Sequence, residues 1–152
     1  MGDYKDGGFR FTVYVIILVV IMGFIFIQSA FPATVSRVES GAMVRFLGEV
    51  FGWTPDNASF LVRKAGHFLE YLVLGIVLGL ATGSLRKRRR LPYWGQWIVG
   101  TAFAMTDELH QYFVPGRSCE FRDVVIDSCG VALGIIIVKA IFAFKKNMNT
   151  AD

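Results

Sequence analysis

"FTVYVIILVVIMGFIFIQSAF", Phe11 to Phe31, carries no charged residue. A helix of about 20 apolar residues is what crosses a hydrocarbon core of roughly 30 Å. The run is too long for the apolar part of a cleaved secretion signal, so a retained membrane helix is expected. The rest of the chain agrees. Of its 152 residues 54% are hydrophobic and 18% are charged, and 14 are Phe. A soluble domain carries about 45–50% apolar and about 25% charged residues. The length suits one domain.

Working outward, the start "MGDYKDGG", Met1 to Gly8, resembles a shortened epitope tag with a Gly-Gly scar. It is set aside, and residues 9–152 are read as the single membrane domain. Three further spans follow at about 60–83, 94–113 and 123–144. Between the second and third lies a basic loop, Arg86 to Arg90. The positive-inside rule places such a loop in the cytoplasm. Lys145 and Lys146 after the last span and Arg10 before the first agree. The expected fold is therefore an all-α integral membrane protein with four transmembrane helices and both termini cytoplasmic. The net charge of +4 is a matter of topology, and no nucleic-acid partner is expected, because no recognition motif accompanies the basic residues. Cys119 and Cys129 do not make a disulfide framework.

Two segments remain on the outer side, Pro32 to Ser59 and Val114 to Arg122. In the first, Ser36 and Glu39 have capping-box spacing. Met43, Val44, Leu47, Val50 and Phe51 recur with helical period while Arg45 and Glu49 face elsewhere. A short amphipathic helix is expected there, either lying on the outer interface or packed over the bundle. Gly75, Gly79 and Gly83, and again Gly130 and Gly134, are spaced four apart, which lets membrane helices approach closely.

The polar residues converge at one depth. Tyr71–Gly83, Trp94–Thr106 and Ser128–Val138 are the uncharged stretches inward of Glu70, Asp107 and Asp127. Each is about 11–13 residues, or roughly 16–20 Å at 1.5 Å per residue. That leaves the three acids at a similar level, about 10 Å below the outer boundary of the core. Lys64, His67 and Glu70 share one broad helical face, and Asp107, His110 and Gln111 share another. Asp123 and Asp127 lie on the glycine side of the last span, which points them into the bundle. Charges at this depth must pair, bind an ion or line a wet vestibule. Ion pairs of Arg63 or Lys64 with Glu70, and of Arg117 with Asp123 or Asp107, would serve a purely structural role. Pro115-Gly116 is a turn signal that returns Arg117 over the helix ends.

Three stretches in order, "RKAGHFLEYLVLG", "TDELHQYFVPGR" and "DVVIDSCGVALG", resemble the VanZ-like family of bacterial membrane proteins. The matching positions are Lys64, His67, Phe68, Glu70 and Tyr71, then Asp107, Glu108, Gln111, Phe113, Pro115, Gly116 and Arg117, then Asp123, Asp127, Gly130 and Gly134. The likeness covers the last three spans. It implies a multi-pass protein of the bacterial cytoplasmic membrane, in a family whose founding member is associated with low-level teicoplanin resistance. It implies no settled reaction.

The preferred reading of the residues is a membrane enzyme acting on a lipid or lipid-linked phosphate headgroup, by hydrolysis or transfer, in a pocket facing outward. Arg117, Lys64 and Arg63 would hold phosphate oxygens, with Gln111 and Asp127 completing the substrate site. His67 or His110 would act as acid or base, with Glu70 or Asp107 orienting it, and Glu108 and Asp123 complete the catalytic candidates. The cofactor is open between no metal and a divalent ion. His67, His110 and a carboxylate would suit zinc, whereas Asp107, Glu108, Asp123 and Asp127 would suit magnesium or calcium. The competing reading is a binding protein without turnover, for a lipid-linked cell-wall precursor or for the lipoglycopeptide itself. A transporter ranks lowest, since four short spans are few.

Overall fold

The computed structural model describes residues 2–85, 91–117 and 119–148, and for 2–6 and 33–40 the backbone alone. These residues form five helices: α1 (Gly2–Ala30), α2 (Ala33–Phe51), α3 (Pro55–Gly83), α4 (Tyr93–Gln111) and α5 (Phe121–Met148). The chain is all-helical as expected. Three helices are long and apolar enough to cross a membrane: α1 over Gly7–Ala30, α3 and α5. The 19 residues of α4 include Gln96, Asp107, Glu108, His110 and Gln111, and they are not apolar enough to count with those three. The basic loop Arg86–Arg90 lies outside the described residues.

The helix ends differ from the expected spans for local reasons. The first helix begins at Gly2 and runs through the segment read as a tag. The third begins at Pro55 rather than near residue 60, because Thr54 caps it. The Thr54 hydroxyl accepts the Asn57 N–H at 3.4 Å, Pro55 fills a first-turn position, and Asp56 complements the helix dipole. The second helix begins at Ala33 behind Pro32, so Ser36 is not at its N-cap. The side chains of Ser36 and Glu39 lie outside the described ones. This helix stops at Gly52, whose φ of 66° is the left-handed cap geometry, with its N–H on Gly48 O at 3.0 Å. It packs against α3, with Val44 and Leu47 half-buried and Met43, Phe46, Val50 and Phe51 exposed. After α4 the chain turns at Val114–Arg117. Pro115 at the second position, Gly116 at φ 76° and an Arg117 N–H to Val114 O bond of 3.1 Å are the features of a type II turn.

The third helix is the hub, touching each of the other four and packing most closely on α5. The glycines explain the closeness. A side chain at Gly75 would overlap the Val131 backbone, and one at Gly134 the backbone of Leu72 and Ile76. A Cβ at Gly130 would stand 2.6 Å from Phe68 O. The two small-residue rows therefore face each other, which the spacing alone does not say.

The exterior is greasy and the interior is not. Ile16, Val19, Val20, Phe24 and Ile27 are exposed along α1, as are Leu133, Ile136, Ile141 and Phe144 along α5. Buried among the helices are Lys64, His67, Asp107, Glu108, Gln111, Asp123 and Asp127. Water would reverse this arrangement, whereas a bilayer favours it. The buried charges sit at one end of the bundle, made by the end of α1, the first half of α3, the end of α4 and the start of α5. The other end is filled by Leu74, Leu78, Val131, Ile135 and Val138.

Candidate functional site at the polar end of the bundle

The polar end divides into three connected groups. At its rim Lys64 of α3 reaches across to the last helix. Its Nζ donates to Glu120 Oε2 at 3.0 Å and forms a closer ion pair with Asp123. Lys64 and Asp123 are both nearly inaccessible, with side chains 7% and 6% exposed. The structural pairing expected of Lys64 with Glu70 is thus replaced by one with Glu120 and Asp123. The stem of Lys64 lies beside Phe60, its Nζ 5.2 Å from the ring centroid.

The second group ties α1 to α4. Asp107 is fully buried, and its Oδ2 accepts from Ser29 at 2.9 Å and from Gln111 at 3.4 Å. Gln111 in turn faces Arg117, whose Nη1 donates to Gln111 Oε1 at 3.4 Å. Arg117 does not pair directly with Asp107 or Asp123. Its Nε donates to Phe31 O at 2.9 Å and its Nη2 to Gln28 O at 3.3 Å. Gln28 O also accepts the Phe31 N–H at 3.3 Å, and a cation at this end of α1 meets the negative end of the helix dipole. Burial lowers the basicity of Arg117, and the neighbouring Arg63 acts in the same direction, while Asp107, Glu108 and Glu70 oppose it.

The third group is the deepest. His67 of α3, Glu108 of α4 and Asp127 of α5 are 7%, 1% and 0% exposed. One ligand atom from each lies within 4.8 Å of the others. His67 Nδ1 stands 3.5 Å from Asp127 Oδ1, at the outer limit of a hydrogen bond. Glu108 Oε2 accepts the backbone N–H of Glu120 at 2.9 Å, placing its charge at the start of α5. Its Oε1, both oxygens of Asp127 and Nδ1 of His67 have no hydrogen-bond partner. Buried polar atoms left this way cost about 1–3 kcal/mol each, so four in one place call for a reason.

The remaining candidates lie apart. His110 stacks on Phe26 of α1 with ring centroids 4.2 Å apart, and it is not in the group with His67. The structure thus offers a ligand set of His67, Glu108 and Asp127, where the sequence suggested His67 with His110 or four carboxylates. Glu70 is half-buried, one helical turn beyond His67. Three participants escaped the sequence reading of the site. Tyr71 is fully buried beside Asp107, Ser29 is the partner of Asp107, and Glu120 is the partner of Lys64. Ser29 was findable: it is one of the few polar residues in an otherwise apolar first span.

Fold and site together define an all-helical protein with three helices able to cross a membrane and a cluster of buried charged residues at one end. The chain belongs to the VanZ/LLP1 family, whose family model matches residues 11–143. No curated protein and no solved structure is significantly similar to it.

Proposed function

We propose that this VanZ-type protein acts on a phosphate-bearing lipid headgroup, by hydrolysis or transfer, in a chamber open to the outer face of the bacterial cytoplasmic membrane. The observation that carries the reading is the approach of His67 Nδ1 to Asp127 Oδ1, 3.5 Å apart deep in the bundle, at the same end of the bundle as the guanidinium groups of Arg63 and Arg117. The guanidinium groups would hold phosphate oxygens. His67, oriented by Asp127, would take a proton from the attacking water or alcohol. As the phosphorus–oxygen bond breaks, the leaving alkoxide would take that proton back. Lys64 and Asp123, bound to each other, would keep the rim in shape rather than act on phosphate. Asp107 and Gln111 would hold Arg117 in place.

Purified full-length protein in detergent should release product from one class among phosphatidyl lipids, polyprenyl phosphates and lipid-linked sugars. Arg63→Ala should raise KM for that class several-fold with little change in kcat. Retention of a lipid that is lost on His67→Ala, with no product formed, would replace the enzyme reading by a binding protein for a lipid-linked precursor or a lipoglycopeptide. Neither retention nor product across the set would defeat both.

The same proposal has α4 as a fourth span and both termini in the cytoplasm. Lys145 and Lys146 in the last turn of α5 support this orientation, as does the run Arg86–Arg90 in the sequence. Cys119 is exposed at the polar end. In intact cells it should react with a membrane-impermeant maleimide. A cysteine placed at position 88, with Cys119 and Cys129 replaced by Ser, should react only after the membrane is opened. The reverse pattern would overturn the orientation.

A further inference from the structure

We propose that His67, Glu108 and Asp127 bind one divalent transition-metal ion, with zinc as the best-fitting ion. Three helices contribute one ligand each, and the candidate atoms already lie within 4.8 Å of one another. Around a tetrahedral ion with bonds of about 2.0–2.2 Å, neighbouring ligand atoms stand roughly 3.3–3.6 Å apart. His67 Nδ1 and Asp127 Oδ1, at 3.5 Å, have that spacing already.

The second observation is independent of proximity. In these same three side chains buried polar atoms lack partners: His67 Nδ1, Glu108 Oε1 and both Asp127 oxygens. The other Glu108 oxygen is fixed by the Glu120 N–H at 2.9 Å, which orients the free one as an outer-shell contact does for a metal ligand. Charge argues the same way. Lys64 is matched by Glu120 and Asp123 at the rim, so the two deeper carboxylates are left with an imidazole beside them. A divalent cation balances two carboxylates, and an imidazole with two carboxylates suits zinc or manganese better than magnesium or calcium. Three protein ligands leave a coordination position open. The site stands on ligand geometry and replaces, rather than adds to, the base role of His67, because an imidazole that binds through Nδ1 keeps its proton on Nε2.

The test uses full-length protein purified without metal-affinity resin, stripped with chelator, and titrated with zinc chloride by calorimetry, with elemental analysis of the product. One zinc per chain is expected, with a rise in Tm. Glu108→Gln and Asp127→Asn keep side-chain shape, and each should weaken zinc by more than the ~100-fold that loss of an outer-shell partner costs. His67→Ala should do the same, and His110→Ala should bind as the parent does. Absence of zinc binding by the folded parent would overturn the proposal. So would undiminished binding in the three variants, or binding of magnesium as tight as that of zinc. None of these readouts depends on turnover, so failure here is distinct from failure of the headgroup reading.

Discussion

Lys64→Met is expected to destabilise the protein by about 3–5 kcal/mol, the cost of removing one partner from a buried ion pair. Lys64 is 6% exposed and Asp123 4%, and Lys64 also holds Glu120. Without the ammonium, two carboxylates face each other at the junction of α3 and α5 with little water to screen them. The loss should therefore exceed that of any exposed ion pair, such as Arg122 with Glu120 at 3.4 Å, for which about 0–1 kcal/mol is usual. Adding Asp123→Asn and Glu120→Gln to Lys64→Met should recover more than half of the lost stability, because the repulsion goes with the charges. Unfolding in detergent monitored by circular dichroism measures both. A single-variant loss below about 1 kcal/mol would mean that the rim is solvated and the pair contributes as a surface pair does.

His67→Ala is expected to lower turnover by about 10²–10⁴, the usual worth of a positioned acid–base group, through kcat rather than KM. Asp127→Asn should lower it comparably, by removing the group that orients the imidazole. The stability effect of Asp127→Asn should have the opposite sign to that of Lys64→Met. Neither Asp127 oxygen has a hydrogen-bond partner, although the residue is fully buried. Replacing its carboxyl by a neutral amide should stabilise the metal-free fold by about 1–3 kcal/mol. A residue whose removal stabilises the protein and abolishes activity is held for function. Loss of stability on Asp127→Asn without metal would instead make Asp127 a structural group.

The contrast between these variants was only partly legible in the sequence. Acids and bases at matching distances from the dry stretches announced a common level, and the Pro115-Gly116 turn was readable from its residue types. Which acid meets which base was not. Asp107 and Glu108 are neighbours in sequence, about 100° apart around α4. That helix is wedged between α1 and α5, so Asp107 turns to Ser29 and Glu108 to the Glu120 N–H. His110, on the same broad face as Asp107 by spacing, is captured by Phe26 instead. A small rotation of one helix redistributes these partners without changing the pattern of residues.

Composition and apolar run length determined that the chain is all-helical with membrane-spanning helices, because about 20 consecutive apolar residues suit a helix that satisfies its own backbone hydrogen bonds in hydrocarbon and are too long for a barrel strand. Its ordered motifs determined the family. The glycine rows said that helices touch closely, but not that α3 and α5 are the pair. Only the tertiary structure decided that Lys64 serves the rim, that Arg117 closes the end of α1, and that His67, Glu108 and Asp127 share one point. The physical reason is that side-chain partners depend on helix rotation and crossing. Those are fixed by packing across the whole bundle, and no local stretch of sequence contains them.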